Sequence, residues 1–443
     1  MGEAAKISLK AIGKQDTYLL SKNPDESFFN YTANKRHSDF RKYHRSKNIV
    51  NPGTIGNWPF GQTIKVQFNP TNMGDLLSNM YVSITMPGIS TGNYADQLGR
   101  HIFKSVTMFV DDIEVEKIYD DWGIIYDELY LEISEKVANR FLINRNLGND
   151  EATLNDDVAR YSSDVVIPLQ FFFTQKYASD EYASNRPTRP YFPTCGVYRQ
   201  KIIFEFEFHK QTFFTDTTDT LELPSFNIVT EEITVSPEER KFLANEKHTF
   251  ITDLVRKHPS IETEPGKYVI RNNLVPNIPV KCIHWFLRNT KFEDEDVVKE
   301  VGENNEELYY VQNRFNFSSN VSFDEIQTFF DPIMESASFF INGTKMPNVT
   351  NTTHNYYKYL VPFHNRLARP YRNIYTYSFS MHPINVEPSG NLDFSQIKSD
   401  KTNIEVTLDQ TEVDTSSNTY SMHMYYTGYQ TFVFEKGIMS IAY

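Results

Sequence analysis

Polar and apolar residues alternate in short runs along much of this chain. In Lys201–Phe208, Ile202, Phe204, Phe206 and Phe208 fall on one face, while Lys201, Glu205 and Glu207 fall on the other. A period of two marks a half-buried β-strand. Thr63–Phe68, Met80–Met86 and Ser105–Val110 show the pattern in the first half of the chain. Val280–Leu287, Ala337–Ile341, Ile374–Met381, Ile404–Leu408 and Gln430–Glu435 form a second series. Two series of short strands with turn formers between them predict sandwiches or jelly rolls.

One hairpin is written twice. Ser105–Val115 reads SVTMFVDDIEV and Ser336–Met346 reads SASFFINGTKM, the second starting 231 positions after the first (336 against 105). Each places a pair, Asp111-Asp112 or Asn342-Gly343, where a tight turn needs residues tolerant of positive φ. The offset is close to half the chain, so the chain reads as two copies of one β module.

Helical periodicity is rare. Trp122, Ile125, Leu129 and Ile133 share one helical face, with Glu132 and Lys136 at i,i+4 spacing, which predicts a helix directly after the first hairpin. Ser236-Pro237-Glu238-Glu239 supplies an N-cap, a proline at N1 and a glutamate at N3, which predicts a linker helix near the midpoint. The expected organisation is an N-terminal arm over 1–25, a first module over 26–222, a linker with a short helix over 223–245 and a second module over 246–443.

Composition adds limits. The chain has 443 residues, 40% hydrophobic and 14% aromatic, enough for globular modules with sizeable cores. A net charge of −13 argues against wrapping of nucleic acid, and no sequence-specific nucleic-acid binding is expected. Cys195 and Cys282 make no metal or redox motif and are expected to be isolated buried thiols, which suits assembly in a reducing compartment. Met1–Lys10 has no apolar signal core, and Lys6 stands where an N-myristoylation motif calls for Ser or Thr. No run of about 18 apolar residues is present. There is no phosphate-binding Gly-rich loop, His-Glu-x-x-His or Gly-x-Ser-x-Gly motif. His354, His364, His382 and His423 are scattered without a His-x-His pair. Neither enzyme chemistry, a metal nor a cofactor is expected.

Two kinds of surface site stand out. Asn-x-Ser/Thr sequons occur at Asn30, Asn316, Asn320, Asn342, Asn348 and Asn351, and the last three crowd one region. Asn342, Asn348 and Asn351 are candidate glycosylation sites on an outer loop; the alternative for Asn342 is a plain turn residue. Lys35–Lys47, KRHSDFRKYHRSK, concentrates basic and aromatic residues in an acidic chain. Lys35, Arg36, Arg41, Lys42 and Arg45 are candidates for an interior-facing basic segment touching lipid head groups, a minor protein or packaged DNA. The alternative is a solvated or subunit-facing base.

Taken in order, several segments resemble the double jelly-roll major capsid proteins of nucleocytoplasmic large DNA viruses, of the phycodnavirus and iridovirus kind. They are Ala11-Ile12-Gly13-Lys14-Gln15-Asp16, Asn23-Pro24, Phe28-Phe29, Asn34–Phe40, Gly74-Asp75-Leu76 with Pro87, and Asp111–Leu129 with Asp121-Trp122 and Glu128-Leu129. Pro237–Phe242, Tyr375–Met381, Pro388-Ser389-Gly390 and Asp393-Phe394-Ser395 complete the series, and Met381–Ile397 reads as a strand end, the Pro-Ser-Gly turn and then another strand. The resemblance implies an all-β fold of two tandem eight-stranded jelly rolls (a double jelly roll) with a few short helices. It implies a structural, non-enzymatic protein that forms a homotrimer, a pseudo-hexagonal capsomer within an icosahedral virion. The implied partners are neighbouring capsomers, minor capsid and penton proteins and an internal membrane, with assembly in the host cytoplasm. Two alternatives stay open: a carbohydrate-binding, lectin-like β-sandwich, and a capsid protein of a virophage or polinton-like virus.

Overall fold

The computed structural model describes residues 41–442, leaving out 54–55, 145–161, 176–190, 302–306, 322–330, 350–351 and 386–387. The quoted segments between Ala11 and Phe40 therefore lie outside the described residues.

The first module holds eight strands: β1 (Arg41–Val50), β2 (Thr63–Phe68), β3 (Leu76–Met86), β4 (Phe103–Val110), β5 (Ile113–Tyr119), β6 (Ser163–Pro168), β7 (Ile202–Phe208) and β8 (Ser225–Thr234). They pair as two antiparallel sheets, β1-β8-β3-β6 and β2-β7-β4-β5. The second module runs β9 (His248–Glu262), β10 (Val269–Asn273), β11 (Val280–Asn289), β12 (Lys299–Val301), β13 (Glu307–Tyr309), β14 (Met334–Ile341), β15 (Thr344–Met346), β16 (Tyr375–Ser378), β17 (Asn403–Leu408), β18 (Tyr420–Glu435) and β19 (Ile438–Ala442). With the hairpin β12–β13 and the terminal β19 set aside, its sheets are β9-β18-β11-β16 and β10-β17-β14-β15. The strand orders match one for one, so the chain is two jelly rolls of the same topology.

The repeated hairpin occupies the same place in both. β4 and β14 begin at 103 and 334 and β5 and β15 at 113 and 344, so the 231-residue offset holds for strands as well as letters. Asp111 has φ +51°, and Asn342 and Gly343 have φ +51° and +80°. The second pair thus has both central residues left-handed, as a type I′ turn requires.

The alternation in β7 is that of a strand with one face on a core. Ile202, Phe204 and Phe206 are fully buried and Phe208 nearly so, while Phe103, Phe171 and Phe226 meet them ring against ring. The second core centres on Trp285, which packs edge-on against Phe339 and Tyr357. The first core does not stop at the module boundary, for Leu254, Phe286, Tyr425, Phe432 and Phe434 of the second module belong to it.

Three expectations need correction. The stretch 223–245, expected as a linker, contributes β8 to the first module before its helix begins. The helix expected through Ile133 is two helices, α1 (Asp120–Leu129) and α2 (Ile133–Ile143). Glu132 takes an extended conformation at φ −71°, ψ 163°, and its N–H donates to the Glu135 carboxylate at 3.0 Å, which starts a new helix. Lys136 accordingly ignores Glu132, its Nζ donating instead to the carbonyls of Glu128 (2.6 Å) and Arg369 (3.2 Å). Finally, Asp393-Phe394-Ser395 follows the Pro-Ser-Gly turn as a capped 3-10 turn, with the Ser395 N–H donating to Asp393 Oδ1 at 3.0 Å. The midpoint helix α3 (Pro237–Asn245) is present, with Ser236 Oγ accepting from the Glu239 N–H at 3.3 Å.

Candidate functional site

The two jelly rolls meet along a seam in which charged and polar groups are buried between apolar walls. α1 brings most of the first module's polar groups there, because it follows β5 directly and packs eight of its ten residues inward. Asp121, in its first turn, accepts from Arg288 Nη1 at 2.9 Å and the Tyr425 hydroxyl at 3.2 Å, with Lys257 Nζ at 3.8 Å. Burial alone would raise the Asp121 carboxyl, but the Arg288 and Lys257 cations outweigh it and hold the group below the usual carboxylate range. Arg288 also reaches Glu293 at 3.2 Å, and His423 Nε2 lies 2.7 Å from the same carboxylate. At the far end of α1, Glu128 accepts from Arg372 Nη1 at 2.5 Å and from the Arg372 N–H at 3.2 Å. The Tyr130 hydroxyl shares a 2.9 Å hydrogen bond with His284, whose pKa is pushed down to about 3 by burial, so the ring is neutral.

Two further groups bridge the modules. The fully buried Glu116 on β5 accepts from the Phe172 N–H (2.8 Å) of its own module and from the Val255 N–H (3.2 Å) on β9. Arg314 places all its donors on backbone carbonyls: Thr212 (3.2 Å) and Phe213 (3.3 Å) in the first module, Phe292 (3.0 Å), Asp294 (2.6 Å) and Val297 (2.7 Å) in the second. Beside it, His209 sits between Asp120 (3.0 Å) and Glu295 (3.3 Å). Burial would lower that imidazole, but the two carboxylates outweigh it and raise its pKa, and the His209 ring 3.3 Å away brings Glu295 down to about 2. The apolar wall is aromatic, with Phe172 of the first module against Phe250 and Phe432 of the second. Such a seam fixes one jelly roll against the other, because each buried charge would be left unpaired if the modules moved apart. Among the described residues no cluster of His, Cys, Asp or Glu is arranged to hold a metal ion.

Among the described residues, none of the surface sites expected from sequence lies in this seam's network. Lys35 and Arg36 fall outside the described residues. Arg41, Lys42 and Arg45 lie on β1, an edge strand paired with β8. Lys42 Nζ is 2.6 Å from Glu231 and Arg45 Nε 3.4 Å from Glu232, both buried glutamates on β8, so part of the basic segment is matched to acid within its own sheet. Asn342 is exposed in its turn, and its Oδ1 accepts from the Lys398 N–H at 3.0 Å. Asn348 is exposed after β15, and Asn351 lies outside the described residues. The sequon residue Asn316 is buried, its Nδ2 donating to Asn313 (2.9 Å) and Asn320 (3.0 Å). Cys195 and Cys282 are free buried thiols, both pushed up to about 12 by burial. Glu116, Arg288 and Arg314 were not singled out from sequence; each has partners far along the chain and leaves no local pattern.

Comparison with known proteins places this architecture. Residues 238–442 match the family described as large eukaryotic DNA virus major capsid protein, and residues 28–181 match major capsid protein N-terminus. Among curated relatives, capsid protein 1 of Acanthamoeba polyphaga mimivirus is 22% identical over 307 residues, covering 63% of this chain and 48% of the relative. The major capsid protein of Pyramimonas orientalis virus is 28% identical over 168 residues, covering 38% of this chain and 40% of the relative. The chain thus spans about half, or less, of the length of these relatives. Among solved structures, PBCV-1 VP54, fitted into a reconstruction of the virophage Sputnik, superposes with a TM-score of 0.70 at 16% identity, covering 94% of this chain and 99% of that one. The Faustovirus major capsid protein gives 0.65 at 12% identity, covering 98% and 100%. These structural likenesses establish the double jelly roll, and the two sequence matches, one to each module and together covering most of the chain, establish the family. The chain belongs to the major capsid proteins of large eukaryotic DNA viruses.

Proposed function

We propose that three copies of this chain form a trimer whose six jelly rolls approximate a hexagon, and that these capsomers tile an icosahedral shell. The observation that carries this reading is the seam: two modules of one topology, locked at a fixed angle by buried charge pairs. A rigid pair of like modules turns threefold symmetry into near-sixfold packing without six chains, provided the lateral contacts close around the ring. The division into a first module ending at β8 and a second beginning after α3 is part of the proposal. It is supported by the match that starts at residue 238, one position after Pro237. The two buried free thiols favour assembly in the reducing host cytoplasm. Minor capsid and penton proteins and an internal membrane are the expected neighbours. The basic segment Lys35–Lys47 is assigned to the inner side, with Asn348 and Asn351 on the outer.

Sedimentation and negative-stain imaging of the purified full chain test the reading. A trimer with a six-lobed outline is expected. A monomer with measurable glycan affinity would overturn it in favour of a lectin-like module. Intact mass of purified particles checks the sequons, where the mass of the bare chain would remove the glycosylation assignment.

A further inference from the structure

Helix α2 is packed with its apolar face outward. Its buried residues are Asn139 and Ile143, while Ile133 is 82% exposed, Phe141 69%, Val137 54% and Leu142 44%. At 100° per residue, Ile133, Val137, Phe141, Ser134, Ala138 and Leu142 fill roughly half of the helix circumference. None of the six is charged, and all are exposed. A surface helix ordinarily turns such an arc into its own core, and contiguous exposed apolar surface marks a contact site.

A second set of exposed apolar residues lies on the equivalent connection of the other module, between β15 and β16, where Phe363 is 77% exposed, Tyr371 65% and Leu360 45%. The two connections touch. Lys136 Nζ donates to the Arg369 carbonyl at 3.2 Å, and the Ala368 N–H donates to the Leu129 carbonyl at 2.8 Å. The two sets therefore lie on connections that meet at the seam already described, where one jelly roll joins the other.

We propose that this face, Ile133, Val137, Phe141 and Leu142 of α2 with Leu360 and Phe363, is covered by a second copy of this chain. The inference rests on the trimer reading and names the surface that closes it. Two observations select a second copy as occupant. In a ring of near-equivalent modules, each joint between chains repeats a joint within a chain, and the seam shows that module-to-module contact is made at these two connections. The chain also carries a net charge of −13, so copies repel one another wherever acidic surface meets. An uncharged arc of half a helix lets them meet without that penalty, and interface centres are depleted in charge for this reason.

Sedimentation velocity of the full chain over a concentration series decides the matter. The variants are Val137→Ser with Phe141→Ser, Phe363→Ser, and, as a control, Phe242→Ser. Phe242 is 52% exposed on α3, away from these connections. The first two are expected to raise the trimer dissociation constant at least roughly tenfold, as truncation of buried aromatic anchors does. The control is expected to match the parent, and all melting midpoints should agree at concentrations low enough to keep every protein monomeric, because the replaced side chains are exposed in the single chain. Variants as trimeric as the parent overturn the inference and leave the trimer reading standing. Loss of the trimer in all three alike also overturns it, since the effect would not belong to this face. A parent that stays monomeric at every concentration removes both readings. Hydrogen exchange supplies the last arm. Residues 133–143 should gain protection in the trimer; equal protection in dilute monomer would show that the chain covers the face itself, through residues 145–161.

Discussion

Glu116 offers a sharp test of the seam, because its charge state and its position are coupled. The carboxyl is fully buried and accepts one N–H from each module. Burial raises its pKa from 4.5 to about 7, against the lowering effect of those two donors. Between pH 4.5 and 7 the folded chain keeps a proton that the unfolded chain has released. Stability from this group is therefore complete below pH 4.5, falls as pH rises through the window, and levels off above about 7. The gap corresponds to about 3 kcal/mol. Glu116→Gln keeps the size and stays neutral at every pH, but its amide nitrogen cannot accept the second N–H, so the variant carries a pH-independent offset. On top of that offset the variant should become relatively more stable by about 3 kcal/mol between pH 4.5 and pH 8. At roughly 2 cal/mol/K per residue of unfolding entropy, that difference is about 3 °C in melting midpoint for a chain unfolding as one unit, and more if the modules unfold separately. Calorimetry of both proteins from pH 4.5 to 8 measures it. All other titrating groups are shared, so only the difference between the two curves matters. Parallel curves would refute the reasoning.

Other tests follow the same seam and its supports. Arg288→Ala leaves Asp121 buried without its nearest cation and should cost about 3–5 kcal/mol, of which Asp121→Asn in the same chain should restore a substantial part; a double-mutant cycle by denaturant unfolding reads the coupling. Phe172→Ala empties a fully buried site against Phe192, Phe250 and Phe432, and should cost about 3–5 kcal/mol with thermolysin sensitivity rising near the seam. Ser236→Ala removes the cap of α3 and should cost about 1 kcal/mol, seen as a small drop in denaturant midpoint at unchanged slope. Gly437→Ala puts a side chain at φ +80° and into the Tyr198 ring, so it should lower the melting midpoint more than Gly343→Ala, whose turn at the same φ is open.

Where one face of a strand is wet, its limits could be read directly. β2 spans Thr63–Phe68 as its alternation predicts, and β7 differs by a single residue. The strands at the seam were legible only in part: Val280–Leu287 of β11 and Gln430–Glu435 of β18 could be read, but β9 and the start of β18 could not, for the opposite reason. The first eleven residues of β18 are all buried, since β9 and β11 flank it and both its faces are covered, so no alternation survives. β11 buries Lys281, His284 and Arg288 among its apolar residues, and a local reading assigns such residues to the surface. Their partners, Asp253, Tyr130 and Asp121, come from 28, 154 and 167 positions away. β9 carries Arg256, Lys257 and Pro259 within a strand of 15 residues and resembles a loop in isolation. The hairpin repeat was legible because turn chemistry is local; the seam was not, because it is written in pairs.

Arg314 makes one such pairing independent of side chains. A guanidinium carries five N–H donors, and here all five meet main-chain oxygens drawn from both jelly rolls. A substitution at residue 212, 213, 292, 294 or 297 alters a side chain and leaves the accepting carbonyl in place. The joint can therefore outlast extensive sequence drift around it, so long as the arginine and the path of the backbone persist. Mutational tolerance should be lopsided here, wide at the less buried acceptor positions 212, 294 and 297, and narrow at the arginine and, for their own core packing, at Phe213 and Phe292.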